Sequence, residues 1–583
     1  MTRSRAAETL LILGGAGMVG EQVAREAARE LRPKRIVIAA LSKAEVDEAI
    51  TRLDDIGVEL VAAPGNIFLP QSLQGIARDE LISKKEYFDE LFAEVFSPTI
   101  DFRASALFQV VDRYKPDVIV DCINTATAIS YQAGADEFNS ARRTKALLDA
   151  VEGGEPEKLP DLIRSVRELL VSQGVPQITR HLLFLQRTLE ATSVRVYVKV
   201  GTTGTGGMGI NIPYTHSEDK PSLQLLAKSA IGFAHTGLLF LLARTPSSDN
   251  HGTIIKEVKP GAMIGFKRLG RTHVKLSGKG GRQPAYLVSP KQEPLGETLV
   301  TQQPPDAYER FDGRDVPLEI IGADTGENGF FSIGEFQAIT YPRQMEYVTP
   351  EEVARTAVLE ILGASTGRDV LSAIDGAITE PSYRAGVLRE RAIRQMKDLE
   401  QALEGEVLPS IAVGHLGPPK LSKLLAEAYL LLQAGGTKYL DDMVAFDAEE
   451  WQSRVESYLA RNPRVASTII TIGIPMLREA DGKLTLTRGP RVNIPPLPHV
   501  PLDADTVDKY ARTGWVDLRR ENFEVWVKRI AAVAKSRPDI ATHGSAAFDL
   551  TKYPSDKFVP GDVVGWLFTT EIDEQGMVGH RLF

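Results

Sequence analysis

Residues 9–20 read TLLILGGAGMVG, and this stretch decides the fold. The apolar run before the glycines lacks helical spacing and predicts a buried strand, whereas residues 21–31 predict a helix. Gly14, Gly17 and Gly20 have the spacing that permits a tight turn, close approach of backbone N–H groups to a pyrophosphate, and close packing of helix on strand. The N-terminus of that helix would face the anion with its dipole. The residues expected to contact a dinucleotide here are Gly14, Ala16, Gly17, Met18, Val19 and Gly20.

The second predicted strand, 35–40, ends at Leu41-Ser42-Lys43 without a carboxylate. An acidic residue at this position would accept the ribose hydroxyls of NAD, whereas a hydroxyl and an ammonium could hold the 2'-phosphate of NADP. Ser42 and Lys43 therefore favour NADP, and NAD is the alternative. Ser42 could instead cap the next helix, with Lys43 in solvent.

Two further predicted strands, 58–62 and 118–122, lead into polar residues that would meet the cofactor at the same edge of the sheet. The expected contacts are Asn66, Ile67, Asn124 and Thr125. Between these strands a charged helical stretch exceeds the usual crossover length, which predicts a helical insertion at about 70–115.

Composition excludes several classes of protein. The 583 residues include 77 acidic and 68 basic side chains, a formal charge of -9, which argues against nucleic acid or an anionic membrane as a partner. The longest apolar segment, 227–243, contains Lys228 and His235, so no membrane span is predicted and a cytoplasmic protein is expected. The single cysteine, Cys122, excludes an intramolecular disulfide and is interpreted as a small buried residue rather than a nucleophile. The scattered histidines predict no metal site.

The order of predicted helices and strands after residue 177 points to a protein family more specifically than the glycine loop does alone. The patterns predict four elements in succession. These are a helix over 178–191, a strand over 194–200 that ends at Gly201-Thr202-Thr203, a helix over 222–244, and a strand over 253–258 before Pro260-Gly261. With the glycine loop, this succession resembles the short-chain dehydrogenase/reductase superfamily, and more closely its extended branch of NAD(P)-dependent epimerase/dehydratase-like proteins. The resemblance covers about residues 8–266.

This resemblance implies a doubly wound parallel sheet, the Rossmann fold, that binds a nicotinamide cofactor across its carboxyl edge, with Pro260 and Gly261 among the contacts. Family members use a Ser or Thr after the fifth strand and a Tyr-x-x-x-Lys pair on the next helix. Thr202 or Thr203 fits the hydroxyl residue and Lys228 fits the lysine.

The tyrosine of the family pattern is absent, because Gln224 stands four residues before Lys228 and an amide cannot transfer a proton. Tyr214, in the preceding loop, is the provisional proton donor. The alternative is a loop aromatic that packs on the sheet or lines the substrate pocket.

Lys228 lies in a helix that is apolar nearly all round, where a buried ammonium needs a partner. A ribose hydroxyl of the cofactor is the favoured partner; a carboxylate, or extension of the side chain to the surface, is the alternative. The same apolarity suggests that this helix packs at a subunit contact, as in many relatives, so a homodimer or homotetramer is expected.

The rest of the chain gives weaker signals. Thr349 and Pro350 predict the start of a helix, and helices are also expected over 388–403, 420–433 and 449–460. Strands are expected over 467–472 and 563–569. The predicted domains are a cofactor-binding domain at 1–266, a smaller substrate-binding lobe with return helices at 267–404, and an α+β extension of unknown role at 405–583.

The sequence thus predicts an α/β oxidoreductase that transfers hydride between NADP and a carbonyl or alcohol carbon of a small organic substrate. An epimerase or dehydratase that uses bound NAD(P) transiently is one alternative. A sensor or scaffold that binds NAD(P) without catalysis, as Gln224 would permit, is another.

Overall fold

The structure is a computed structural model, and its residues form two units. Unit 1 comprises 1–206, 221–263 and 348–380, and unit 2 comprises 207–220, 264–347 and 381–583. Within these ranges the structure describes residues 7–99, 101–130, 137–201, 223–244, 252–258, 262–263, 269–278, 281–324, 330–341, 347–364, 383–412, 419–495, 497–538 and 552–572.

Unit 1 is built on a six-stranded parallel sheet with the order β3-β2-β1-β4-β5-β6. This is the strand order of the Rossmann fold, and the order reverses between β1 and β4, where such sheets bind their ligands. The predicted doubly wound sheet is therefore confirmed. Its strands are β1 (Thr9–Leu13), β2 (Arg35–Ala40), β3 (Glu59–Pro64), β4 (Val118–Asp121), β5 (Val196–Val200) and β6 (Ile254–Val258).

Helices cover both faces of this sheet. On one face α1, α2 and α12 enclose a core of small and branched apolar residues, and on the other α5, α9 and α10 enclose a second core. The strands are mostly apolar because helices cover both faces of the sheet. These helices are α1 (Met18–Glu30), α2 (Lys43–Arg52), α5 (Ala106–Tyr114), α9 (Gly174–Ala191), α10 (Leu223–Arg244) and α12 (Pro350–Ile361).

Two helical additions extend unit 1. The stretch 70–115, predicted as an insertion, contains α3 (Arg78–Ser83) and α4 (Lys85–Phe96) before α5. A second addition follows β4, where α6 (Thr125–Ser130), α7 (Glu137–Glu152) and α8 (Leu159–Val171) precede α9. The sequence patterns did not predict this second addition.

Helix α10 is long and apolar enough to cross a membrane by length and composition, over Leu223–Ala243, and is the one such helix among the described residues. The core helix of a soluble protein passes the same test. Lys228, His235 and Thr236 are buried, and α10 packs against α6, α9 and β6. Its buried polar side chains therefore face protein.

Unit 2 is an α+β region, in which β11 pairs with β17 and β12 with β18. These pairs join residues from before and after the predicted boundary at 404, so the observed division differs from the predicted one. The strands of the chain beyond β6 are β7 (Ala262–Met263), β8 (Leu269–His273), β9 (Lys275–Gly278), β10 (Gly281–Pro284), β11 (Gln292–Pro294), β12 (Thr298–Val300), β13 (Glu319–Asp324), β14 (Phe330–Ser332), β15 (Tyr347–Val348), β16 (Met476–Ala480), β17 (Lys483–Thr487), β18 (His499–Pro501) and β19 (Val516–Asp517).

Two predicted strands are helices instead. Residues 467–472 lie mainly in α17, and residues 563–569 lie in α20. A proline occupies the first turn of each helix, a position that proline favours, and the apolar residues recur at three- and four-residue spacing. The β-branched content of both segments is what suggested strands. The helices of unit 2 are α11 (Ile333–Ile339), α13 (Tyr383–Ala402), α14 (Pro419–Gly435), α15 (Leu440–Met443), α16 (Ala448–Arg461), α17 (Pro463–Thr471), α18 (Ala504–Thr513), α19 (Arg520–Lys535) and α20 (Pro560–Thr570).

A buried carboxylate organises part of unit 2. Glu427 on α14 pairs with Lys423 and accepts hydrogen bonds from Trp526 Nε1 at 2.8 Å and from the backbone N–H of Asp517 at 2.9 Å. Asn522 Nδ2 donates a further bond at 3.0 Å. Since each of these donors needs an acceptor, Glu427 links α14 to β19 and α19.

We expect Glu427→Ala to lower the free energy of unfolding of unit 2 by about 3–5 kcal/mol, because it leaves a buried ammonium and several donors unpaired. Glu450→Ala is the matched control, since the exposed Glu450 pairs only with Arg454 on its own helix in the described structure, which is worth less than about 1 kcal/mol. All four tryptophans lie in unit 2, so the urea dependence of tryptophan fluorescence isolates this unit. Equal losses in the two variants would contradict the assigned role.

Candidate functional site

The glycine loop forms a cradle at the N-terminus of α1. Gly14 has a φ of 71°, in the left-handed region that glycine favours. A Cβ on Gly20 would lie 2.5 Å from the carbonyl oxygen of Gly14 and 2.6 Å from Cα of Gly15, so only glycine lets the helix pack this closely. No side chain caps α1 at Gly17. The first-turn N–H groups are therefore oriented for an anion, and the loop fits a pyrophosphate.

At the adenosine end, Ser42 caps α2. Its hydroxyl accepts a hydrogen bond from the Glu45 backbone N–H at 3.3 Å, and the Glu45 carboxylate accepts one from the Ser42 N–H at 3.0 Å. Lys43 is exposed and pairs with Asp47 on the same helix. Ser42 thus forms the helix cap that was the alternative interpretation of this residue. A role for Ser42 and Lys43 at a 2'-phosphate stays a prediction.

The predicted residues after β3 and β4 lie in short turns. Asn66 Oδ1 accepts a hydrogen bond from the Phe68 N–H at 3.0 Å, and Ile67 is buried beside it. Asn124 Oδ1 accepts one from the Thr127 N–H at 3.1 Å, at the start of α6. Thr125 is buried, and its hydroxyl accepts a bond from Lys199 Nζ at 3.1 Å.

A row of charged residues crosses the sheet near its carboxyl edge. Asp121 on β4 is in register with Lys199 on β5, which is in register with Glu257 on β6. All three are buried, and Lys199 Nζ lies 2.8 Å from Asp121 Oδ1. Lys199 also donates to the Ile123 carbonyl at 2.6 Å. The sequence patterns did not predict this row, although a charged residue near the end of an apolar strand is a signal that could have indicated it.

Neighbouring groups complete this polar edge. Tyr197 donates its hydroxyl to Asp121 Oδ2 at 2.8 Å, and burial together with that carboxylate raises the pKa of Tyr197 well above its usual value. Tyr197 is therefore a poor proton donor despite its position. Thr236 on α10 donates to Glu257 Oε1 at 3.0 Å. A Cβ on Gly201 would overlap the same Glu257 oxygen, so a larger residue where β5 ends would displace the Glu257 carboxylate.

Lys228 is 3% exposed, and it lies on α10 two turns before His235 and Thr236. The burial predicted for Lys228 is therefore observed. Burial also raises the pKa of the Cys122 thiol far above its usual value, which removes its nucleophilic form. In the part of the chain that the structure describes, no group of three His, Cys, Asp or Glu residues could hold a metal ion.

Several predicted site residues lie outside the described residues. The set comprises Thr202, Thr203, Tyr214, Pro260 and Gly261.

Comparison with known proteins gives a family-model match that lies mainly in unit 2 and includes 348–380 of unit 1. Residues 288–572, a little under half of the chain, match the model of the beta-methylindole-3-pyruvate reductase C-terminal domain. This match spans the predicted boundary at 404, in agreement with the strand pairs that cross it. The comparison with curated proteins found no match.

Solved structures with some likeness to the chain include short-chain dehydrogenases. One from Sphingobium yanoikuyae in complex with NADPH has 14% sequence identity and a TM-score of 0.23, and covers 44% of this chain and 71% of its own. A bulky-bulky ketone specific alcohol dehydrogenase from Comamonas testosteroni has 13% identity and a TM-score of 0.23, and covers 44% and 74%. At these scores the likeness carries no argument, and the fold rests on the strand order of the chain itself.

The glycine cradle generates a direct prediction. Gly20→Ala places a Cβ against the backbone of Gly14 and Gly15, so the loop must shift and the first-turn N–H groups move from the pyrophosphate position. We expect the Kd for NADPH to rise at least tenfold, measured by titration of nicotinamide fluorescence.

Gly237→Ala on α10 is the control, since a Cβ there has open space and alanine favours the helix. It should bind NADPH with unchanged Kd. If Gly20→Ala also binds with unchanged Kd, the loop does not hold the pyrophosphate.

The chain therefore combines a Rossmann-fold unit with a region that matches the model of the beta-methylindole-3-pyruvate reductase C-terminal domain.

Proposed function

We propose that this protein is an NADP-dependent oxidoreductase that reduces the carbonyl group of a small organic acid. The observation that carries the proposal is the glycine cradle at the N-terminus of α1, next to the point where the strand order reverses. The reductase direction follows the family model, whose name describes a reductase of a 2-oxo acid with an aromatic side chain. A 2-oxo acid is accordingly the proposed substrate class.

NADP is proposed over NAD because no carboxylate stands at the tip of β2. Lys43 is exposed and joined only to residues of its own helix in the described structure, so it can turn toward a 2'-phosphate at little cost. Glu45 and Asp47 on the same helix carry carboxylates that would repel a 2'-phosphate, and the charge of Lys43 would need to offset this repulsion. NAD remains the alternative.

A bound nicotinamide would supply the hydride, and side chains of this chain would place the substrate and move the proton. Lys228, buried on α10, would hold the nicotinamide ribose and lower the pKa of a nearby hydroxyl by its charge. Thr202 or Thr203 would orient the substrate oxygen. Tyr214 would donate the proton, because Gln224 cannot and Tyr197 is held by Asp121.

The two alternative functions have less support. An epimerase or dehydratase would return the hydride to its substrate, and a sensor would bind the cofactor without turnover. The family model describes a reductase and favours neither.

The test is NADPH oxidation at 340 nm with a panel of 2-oxo acids, ketones and aldehydes, each repeated with NADH. We expect turnover with aromatic 2-oxo acids, a preference for NADPH of tenfold or more, and a loss of at least about 100-fold in kcat for Lys228→Ala and Tyr214→Phe. Lys115→Ala, an exposed lysine of unit 1, is the control.

Each other outcome would select a different function. Tight cofactor binding with no net NADPH consumption, together with interconversion of an epimeric substrate, would identify an epimerase. Stoichiometric binding without any turnover would identify a sensor. Full activity in both Lys228→Ala and Tyr214→Phe would overturn the proposed roles of these residues.

We also propose that α10 forms part of a contact between two copies of the chain. One stripe of this helix is apolar and exposed, and about half of the Leu226 side chain is accessible. Water contact over such a stripe is unfavourable, and a second copy would remove it. The exposed apolar residues on this stripe are Leu223, Leu226, Phe233 and Leu241.

We expect Leu226→Asp to convert the dimer or tetramer to a monomer, because it places a charge in the apolar contact. Light scattering after gel filtration measures the mass. Val525→Asp, at an exposed position on α19, should leave the assembly unchanged. A monomeric wild-type protein would contradict this proposal.

A further inference from the structure

Unit 1 contains a cavity of about 30 Å³ between the first helical addition and α9. It lies beside the turn after β3, where Phe68 packs against His181 with ring centroids 4.8 Å apart. Its size suits about two or three waters or a small molecule of similar volume. The lining residues are Ile67, Phe68, Arg78, Leu91, Glu94, Val95, Val171, Gln177, Arg180, His181 and Phe184.

Arg78, the first residue of α3, turns a guanidinium edge inward. Its Nε and Nη2 atoms are both buried, and neither has a hydrogen-bond partner in the described structure. These two atoms carry the parallel N–H groups with which arginine binds carboxylates in a bidentate manner. Burial lowers the pKa of Arg78, but the group still carries its charge at neutral pH. Arg78 as a whole is partly buried, and its two buried donors lack an acceptor among the described residues, which points to an acceptor from outside the protein.

His181 on α9 supplies a second unused polar atom. Its side chain is 6% exposed, and Nε2 is buried without a hydrogen-bond partner in the described ranges. Burial lowers the pKa of His181 to about 4, so the ring is neutral at physiological pH and can donate one N–H.

The other charged groups of the cavity limit what can enter. Arg180 donates from Nε to the Val95 carbonyl at 3.0 Å and from Nη2 to the Ser97 carbonyl, so this edge of its guanidinium is already used. Glu94 forms no ion pair in the described part of unit 1 and brings a carboxyl group, whose pKa burial raises to about 7. Arg78 and Arg180 bring two positive charges to the lining and an ionised Glu94 brings one negative charge, so a ligand with a single negative charge would balance the remaining positive charge. The remaining lining is mostly apolar.

We propose that this cavity binds a small monocarboxylate, with the Nε and Nη2 edge of Arg78 holding the two carboxylate oxygens and His181 donating to one of them. The apolar lining would contact a short aliphatic group. Acetate or propionate has the dimensions that this volume allows.

A carboxylate fits the donors better than two other occupants. Two waters could each accept a hydrogen bond from one N–H group, but they supply no negative charge, whereas a carboxylate supplies both two oxygens and the charge. Phosphate carries up to two charges and has no apolar part, so the acid at Glu94 and the apolar walls oppose it. The proposal does not depend on the proposed reductase function, since it concerns residues outside the glycine cradle and the polar edge.

The experiment measures binding to the full chain by isothermal titration calorimetry with sodium propionate, sodium acetate and inorganic phosphate, at constant ionic strength against sodium chloride. We expect propionate and acetate to bind and phosphate to bind at least tenfold more weakly. Arg78→Gln, which keeps a polar side chain of similar reach, should weaken propionate binding at least tenfold. Glu94→Gln should tighten it at pH 8, because it removes a like charge.

Arg113→Gln, at an exposed position on α5, is the control and should bind propionate as the wild type does. A thermal melt of every variant checks that it folds, and Arg78→Gln should melt no lower than the wild type, because it removes a buried charge. Absence of carboxylate binding to the wild type would show that water alone fills the cavity and would overturn the proposal. Equal binding by Arg78→Gln and wild type, or tighter binding of phosphate than of propionate, would also overturn it.

Discussion

The ion pair between Asp121 and Lys199 is the interaction on which the polar edge of unit 1 depends. Both groups are buried near the carboxyl ends of adjacent central strands, where neither could be tolerated alone. Removal of one partner from such a pair typically costs about 3–5 kcal/mol, because the other is left as an uncompensated charge. The pair therefore fixes the register of β4 against β5, and with it the positions of the turns that follow them.

The same pair also limits the chemistry of its neighbours. Asp121 holds the Tyr197 hydroxyl and Lys199 occupies the Thr125 hydroxyl, so neither hydroxyl can serve a substrate. Lys228 differs from Lys199, because it is a buried lysine of unit 1 that lies on a helix and not on a strand of the sheet. These two buried lysines of unit 1 thus differ in setting: Lys199 pairs with the strand carboxylate of Asp121, and Lys228 lies on α10, where we propose that it contacts the cofactor.

Local signals made the N-terminal half of the fold predictable. The glycine loop, the strands and the helix over 223–244 are encoded by short patterns, and the structure reproduces them within a few residues. The row formed by Asp121, Lys199 and Glu257 was missed because its members are far apart in sequence and meet only through strand register. The helices at 463–471 and 560–570 were missed for the opposite reason, since their local β-branched content outweighed a helical period in a short window.

Helix α9 contacts α10 on one side and lines the cavity of the helical addition on the other. Arg180 ties α9 to the end of α4, and the adjacent His181 contacts Phe68 on one side and lies 6.3 Å from the His235 ring of α10 on the other. Helix α10 also carries Lys228. A group bound to His181 would therefore be separated from α10 only by the side chains of His181 and His235. Because protein interiors are packed at crystal-like density, a shift of the His181 side chain would be transmitted to its neighbours. The long crossover between β4 and β5 therefore does more than connect two strands, since its last helix, α9, both packs against α10 and lines the cavity.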